Sequence, residues 1–126
     1  MQAAIAARID RLDHAAKRTL NAASVIGLRF VDAELRSVIE EPATSELIKM
    51  ELIDQVKFTP RAEYAFRHPL IRAVAYQSQL MSDRAELHRR VASAIEHNDP
   101  ESVDENAALI AEHLQAAGDL RRHTNG

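Results

Sequence analysis

The stretch from Tyr64 to Tyr76 constrains the fold most, because its residue pattern changes from strand to helix at a single point. Tyr64 and Phe66 alternate with smaller or charged neighbours, and this period of two is typical of a half-buried strand. Proline is favoured at the first position of a helix, where its missing N–H group is no loss, so Pro69 marks a helix start. The sequence therefore predicts a strand, a corner at His68 and Pro69, and then a helix.

The same corner has properties of an anion site. The N–H groups that begin a helix lack partners within it, and the helix dipole places partial positive charge there. His68 lies just before the predicted helix start, and Arg72 lies about one turn inside it. We therefore predict that His68 and Arg72 contact a phosphate group. Two plainer roles stay open: His68 could bond to nearby backbone, and Arg72 could pair with a carboxylate or face solvent.

The N-terminal half has the pattern of several short helices. Hydrophobic residues make up 46% of the chain and aromatic residues only 4%, so the core must consist mainly of Leu, Ile, Val and Ala, as in helical proteins. Asp13 is a candidate N-cap that either divides two helices or bends one. Asp32 is a candidate N-cap for a helix that reaches Ile39, and Thr44 or Ser45 can cap the next helix.

One small β-hairpin is predicted at about residues 53–68. Ile53–Phe58 is compatible with a strand, and Tyr64–Phe66 is its expected partner across a short loop. Three helices followed by a hairpin is the order of elements in a winged helix. The predicted fold is mainly α, with a winged-helix-like helical domain over residues 1–81, a C-terminal helical extension over 82–120 and a frayed tail at 121–126.

The helical extension is predicted to end in a helix with an apolar face. Ser102–Glu105 has the sequence of a capping box, and the helix that it opens carries Leu109, Ile110 and Leu114 before it ends at Gly118. A repeat unit buries such a face only against neighbours. We therefore expect these side chains to fold back on the domain or to meet a second copy in a homodimer.

The histidines of the extension show no metal-ligand spacing. His88 lies among charged residues, and His113 directly follows a glutamate. We expect both side chains to lie on solvated helix faces, with no metal bound.

Composition excludes several function classes. The three glycines lie far apart, so no phosphate-binding loop or dinucleotide fingerprint can form, and we expect neither catalysis nor a cofactor in this chain alone. The absence of cysteine excludes disulfides and thiolate metal sites. A net charge of −3 gives no electrostatic argument for nucleic acid or anionic membrane. With no apolar run of membrane-spanning length and no signal peptide, we expect a soluble cytoplasmic protein without a membrane partner.

Several segments, in the same order, resemble the region that follows the AAA/STAND ATPase core of bacterial signalling proteins. Those proteins are LuxR-type regulators and class III adenylate cyclases that carry an ATPase module. The similar segments are Ala4–Leu12, Leu20–Gly27, Phe66–Arg72, Leu87–Ala92 and Ala111–Asp119, the last of which resembles the first helix of a TPR-like array. The resemblance implies a winged-helix module of a nucleotide-dependent switch, in which an ATPase core in cis or in trans holds ATP or ADP.

The segment Phe66–Arg72 is also similar to the M-H-D-L-[IV]-R motif of NB-ARC ATPases. This resemblance implies that His68 touches a phosphate of ADP and holds the switch closed. Pro69 stands where the motif has aspartate, so any role of that aspartate is lost. Arg72 matches the arginine of the motif, which implies no particular contact for it.

A winged helix also suggests a DNA-binding transcriptional regulator as the alternative. Its contacts would come from basic side chains on the hairpin, namely Lys57, Arg61 and Arg67. Glu46 and Glu51 lie in the predicted third helix and would repel phosphates, so DNA binding is disfavoured. A further alternative is a self-associating helical scaffold with no nucleotide role.

Overall fold

The computed structural model describes residues 2–98 and 109–118. Its elements are α1 (Gln2–Asp10), α2 (His14–Ile26), β1 (Arg29–Val31), α3 (Asp32–Val38), α4 (Thr44–Lys49), β2 (Ile53–Lys57), β3 (Glu63–Phe66), α5 (Pro69–Gln77) and α6 (Met81–Asn98). Residues 109–118 are also helical and are called α7. The predicted class, mainly helical with a small hairpin and a C-terminal helix, is confirmed. The capping box predicted at Ser102–Glu105 and the tail predicted at 121–126 lie outside the described residues.

The chain divides into two compact units, residues 1–78 and residues 79–126. The first unit contains α1 to α5 and all the described strands. The second contains α6 and α7. None of the described helices is long and apolar enough to cross a membrane.

Asp13 separates the first two helices. Its backbone is extended, and its carboxylate accepts a hydrogen bond of 2.8 Å from the N–H group of Ala16. This bond satisfies one of the donors that the first turn of α2 leaves without a helical partner. The predicted N-cap is confirmed, and the question of its effect is settled: α1 ends at Asp10 and α2 begins at His14.

The sheet has three antiparallel strands in the order β1-β3-β2. The predicted hairpin of β2 and β3 is present, and β1 is an additional strand that the sequence pattern did not indicate. A strand of three residues is too short to show a period of two. Because β1 and β2 pair with opposite edges of β3, Tyr64 lies across from both Phe30 and Gln55.

Phe30 is the aromatic centre of the core. Its side chain is only 2% exposed, and its ring centroid lies 5.7 Å from that of Tyr64 and 5.8 Å from that of Phe66. The other largest buried side chains come from α2, α3, α4, the start of β2 and the residue before it, and include Leu20, Leu35, Leu47, Leu52 and Ile53. The core thus combines the aromatic side chains of the sheet with apolar side chains of α2, α3 and α4.

Asp32 does not have the role that the sequence predicts. It is the first residue of α3, and the N-cap position falls on Val31, which makes no side-chain capping bond. The N–H group of Asp32 instead donates to the carbonyl of Ala62 at 2.9 Å, which extends the pairing of β1 with the strand β3. Its carboxylate pairs with Arg36 one turn later, at 2.7 Å. The prediction was wrong because an N–H group at the start of α3 finds its acceptor in a distant backbone carbonyl and not in a capping side chain.

The cap predicted for the next helix is also displaced. Thr44 is already helical, and the N-cap residue of α4 is Ala43. The N–H group of Ala43 donates to the hydroxyl of Thr19 at 2.9 Å, and that hydroxyl donates to the carbonyl of Ala15 at 2.8 Å. A buried side chain of α2 therefore fixes the start of α4.

The second unit contradicts one expectation directly. His88 and His113 are each only 6% exposed, although the sequence predicted solvated positions. The buried face of α6 runs through Ala85 and Ala92 rather than through Leu87, which is half-buried. Small residues contribute little to a hydrophobic pattern, and histidine was treated as a polar residue. The sequence therefore did not indicate that this face of α6 is buried.

We expect replacement of Phe30 by alanine to lower the free energy of unfolding by about 3–5 kcal/mol, since a buried aromatic side chain is lost and a cavity remains. Phe58, which is 70% exposed, is the matched control, and Phe58→Ala should change stability by less than about 0.5 kcal/mol. Urea unfolding followed by circular dichroism measures both. Equal effects of the two substitutions would contradict the packing described here.

We expect the free energy of unfolding to depend on pH through Glu34. Burial raises the pKa of this carboxyl, and the neighbouring charge of Glu63 raises it further. A raised pKa in the folded state means that the stabilising protonated form is lost as pH rises through that value. As pH rises from 4 to 7, the wild type should therefore lose stability relative to the Glu34→Gln variant, which has no carboxyl to ionise. Urea unfolding at both pH values tests this, with the exposed Glu40→Gln as control; no pH-dependent difference would count against it.

Candidate functional site

His68 joins the central strand to α5. Its backbone is extended, as expected for an N-cap residue, and its Nδ1 atom accepts a hydrogen bond of 3.0 Å from the N–H group of Leu70. Pro69 occupies the first helical position, as predicted. The ring itself is exposed. His68 therefore does bond to nearby backbone, which was the plainer of its two predicted roles. Because Nδ1 makes this bond, Nε2 is the ring nitrogen directed away from the cap.

Two backbone donors in the first turn of α5 are already used. Leu70 donates to the ring of His68, Ile71 donates to the carbonyl of His68 at 3.0 Å, and Pro69 has no N–H group. The prediction that unpaired N–H groups would hold an anion here was therefore wrong in its mechanism. A phosphate at this corner would be held by side chains, with the helix dipole as a secondary contribution.

Two arginines supply the side chains that such an anion needs. A cavity of about 400 Å³ is lined by Ala4, Ile5, Arg8, Glu51, Arg67, His68 and Ile71. It brings together two guanidinium groups, one imidazole and one carboxylate from three separate parts of the first unit: α1, the end of α4, and the connection between β3 and α5. Arg8 was not predicted as a site residue, because it lies sixty residues before His68 and only the tertiary fold brings them together.

Both arginines have partners within the protein. Arg8, which is half-buried, donates from Nη2 to the carbonyl of Met50 at the end of α4. Arg67 is exposed, and its Nη1 atom lies 3.7 Å from a carboxylate oxygen of Glu51 and 4.0 Å from one of Asp54. An incoming anion would therefore compete with Glu51 for the guanidinium of Arg67.

Glu51 has a backbone conformation that glycine would adopt more easily. Its φ is +61°, in the left-handed region. The N–H group of Glu51 donates to the carbonyl of Ile48 at 3.0 Å, and the N–H group of Leu52 donates to the carbonyl of Leu47 at 3.0 Å. These two bonds form the hydrogen-bond pattern of a Schellman motif. Glycine is the usual residue at this position. A glutamate here places a carboxylate beside Arg67 despite the conformational cost.

Arg72 lies in a different environment from His68. Its Nε atom donates to the carbonyl of Ser24 at 2.9 Å, in the last turn of α2. The negative end of the helix dipole favours a cation at this end of α2. Arg72 lines a second cavity, of about 370 Å³, together with Leu28 and Tyr76. The structure thus gives Arg72 a capping role and does not bring it into the cavity of His68.

The basic residues proposed for DNA are divided between the two ends of the hairpin. Lys57 pairs with Glu63 near the turn, and Arg61 lies in the turn, with both basic side chains exposed. Arg67 follows the opposite end of β3, roughly 13 Å away at ~3.3 Å per residue. The three residues thus do not form one tight cluster, and DNA contact by Lys57, Arg61 and Arg67 stays a prediction.

Comparison with known proteins finds a similar protein of low identity. An uncharacterized protein of Rhizobium meliloti (strain 1021) is 27% identical over 110 residues, which is 82% of this chain but only 11% of that protein. The chain thus spans about a tenth of the length of this relative. No protein-family model matches the chain. No solved structure matches it.

We expect Arg72→Met to lower the free energy of unfolding by about 1–2 kcal/mol, because the charged hydrogen bond between α5 and the end of α2 is lost. Methionine keeps most of the aliphatic packing. Arg11→Met, at an exposed position, is the control and should have little effect. Equal urea midpoints for the two variants would show that Arg72 does not stabilise the helix end.

Proposed function

We propose that this chain is a regulatory module of a STAND-type signalling ATPase of the adenylate cyclase or LuxR-regulator class, and that it is not catalytic alone. The observation that carries this proposal is the cavity in which Arg8, Arg67 and His68 converge beside the start of α5. Guanidinium groups and an imidazole N–H are the donors that suit phosphate oxygens. The ligand would be a phosphate of ADP or ATP, delivered by an ATPase core in cis or in trans.

The hydrogen bond from Leu70 determines how His68 would act. Because Nδ1 accepts this bond, the neutral ring carries its proton on Nε2. Nε2 would therefore donate to a phosphate oxygen while Nδ1 continues to cap α5. A change of nucleotide would therefore affect the hydrogen bond that caps α5, and through it the helix itself.

Glu51 gives the site a second state. Without an anion, its carboxylate lies against Arg67. With a phosphate in the cavity, Arg67 would exchange this weak surface pair for a charge-assisted bond to phosphate, and Glu51 would be repelled. The side-chain contact between Glu51, at the end of α4, and Arg67, after β3, would then be lost. This exchange is the proposed switch.

The test is the affinity of the chain for ADP, measured by calorimetry at constant ionic strength, since exposed charges are screened by salt. The isolated chain should bind weakly, with a dissociation constant of roughly 1 mM. His68→Asn is the sharpest variant, because asparagine is a good N-cap and preserves the bond to Leu70 while removing the Nε2 donor. It should weaken binding at least about fivefold, or about 1 kcal/mol.

Glu51→Gln should act in the opposite direction. Removing the competing carboxylate should strengthen ADP binding about two- to fivefold, which corresponds to about 0.5–1 kcal/mol. The matched control is Glu46→Gln, an exposed glutamate of α4 outside the cavity. The proposal fails if neither His68→Asn nor Glu51→Gln differs from the wild type. Binding of duplex DNA that depends on Lys57 and Arg61 would favour the DNA-binding alternative instead.

A further inference from the structure

The outer face of α5 lines a cavity of about 370 Å³ that shares no lining residue with the proposed nucleotide site. Its α5 residues recur at helical spacing, on the stripe opposite the side chains that α5 buries in the core. The cavity is lined by Leu28, Pro69, Arg72, Ala73, Tyr76 and Gln77. Its volume lies within the range of roughly 300–1,000 Å³ that small-molecule sites occupy.

Both walls of this cavity are held by the fold. Leu28 lies between α2 and β1, and its carbonyl accepts a hydrogen bond of 3.0 Å from the N–H group of Phe66 in β3. On the other wall, α5 is anchored through its buried residues Ile71, Val74 and Ala75. The cavity is therefore formed before any ligand arrives, and a ligand would not have to order it.

Arg72 is the charged group of this cavity. It is half-buried, and the bond of 2.9 Å from its Nε atom to the carbonyl of Ser24 fixes the guanidinium group in place. A guanidinium carries further N–H donors on its two Nη atoms. Within the part of the chain that the structure describes, Arg72 has no ion pair and no hydrogen bond besides the one to Ser24. Its positive charge and its Nη donors are therefore available to a ligand.

The neighbours of Arg72 favour an anion that also has an apolar body. Leu28, Pro69 and Ala73 offer apolar contacts, and a guanidinium pairs with a carboxylate through two parallel hydrogen bonds. We propose that this cavity binds a small organic carboxylate, whose charged group pairs with the Nη atoms of Arg72 and whose hydrocarbon chain lies against Leu28 and Ala73. The partial negative charge at the end of α2 opposes an anion, so the affinity is modest.

The test is an NMR titration of the full chain with hexanoate at constant ionic strength, which follows the side-chain nitrogens of arginine. Hexanoate should bind with a dissociation constant of roughly 1 mM and shift the guanidinium signals of Arg72 most. Acetate has the charge without the chain, and hexanamide has the chain without the charge; each should bind at least about fivefold more weakly. Equal binding of either control compound, or shifts confined to Arg8 and Arg67 of the nucleotide site, would overturn the proposal.

Ala73→Glu blocks the cavity while Arg72 stays in place. Glutamate is a good helix former, and its carboxylate both occupies the cavity and repels an anion there. This variant should weaken hexanoate binding at least about tenfold, with ADP binding unchanged within about twofold. Ala33→Glu, at an exposed position of α3, makes the same change of net charge and should bind hexanoate as the wild type does. Unchanged hexanoate affinity in Ala73→Glu would overturn the proposal; if this variant fails to fold, the comparison of hexanoate with hexanamide in the wild type decides.

Discussion

The central strand β3 is the constraint on which the first unit depends. Both of its edges are hydrogen-bonded, to β1 and to β2, so its register cannot shift without breaking two ladders at once. That register places Tyr64 and Phe66 against the ring of Phe30 in the core. The chain then leaves the strand at a defined point, and Pro69 starts a helix within three residues. The position of His68 follows from this register and this turn.

The same constraint determines what the corner can bind. The tight strand-to-helix connection uses its own N–H groups to close the first turn of α5. An anion at this corner would therefore be bound by side chains. Among them, Arg8 comes from α1 and Arg67 comes from the end of the hairpin. Each contacts the end of α4 or the residue that follows it. In this account an anion would act on the packing of α1, α4 and the hairpin together, which is the type of coupling that a switch module needs.

The sequence predicts features that depend on local chemistry. Asp13 as an N-cap, Pro69 as a helix start and the hairpin of β2 and β3 are all present, because their signals lie within a few residues. Features that depend on distant partners were not predicted. The residues of β3 that pair with β1 lie 32 to 36 residues away in the sequence, and Arg8 meets His68 only through the fold.

The buried histidines show a further limit of the sequence pattern. His88 was assigned to solvent because its neighbours are charged, yet the face of α6 that is buried is rich in alanine. Alanine contributes little to a hydrophobic pattern, so the orientation of the helix could not be read from periodicity alone. The Leu109 and Leu114 side chains of α7 remain 43% and 48% exposed, and their predicted role in a homodimer stays a prediction.

The central claim is that side chains, and not the backbone of α5, receive the phosphate. The most direct measurement is an NMR titration with pyrophosphate at constant ionic strength that follows side-chain and backbone nitrogens separately. This account predicts shifts at the guanidinium groups of Arg8 and Arg67 and at Nε2 of His68, with little change at the amides of Leu70 and Ile71. The largest shifts at those two amides, or no shifts at all, would contradict it.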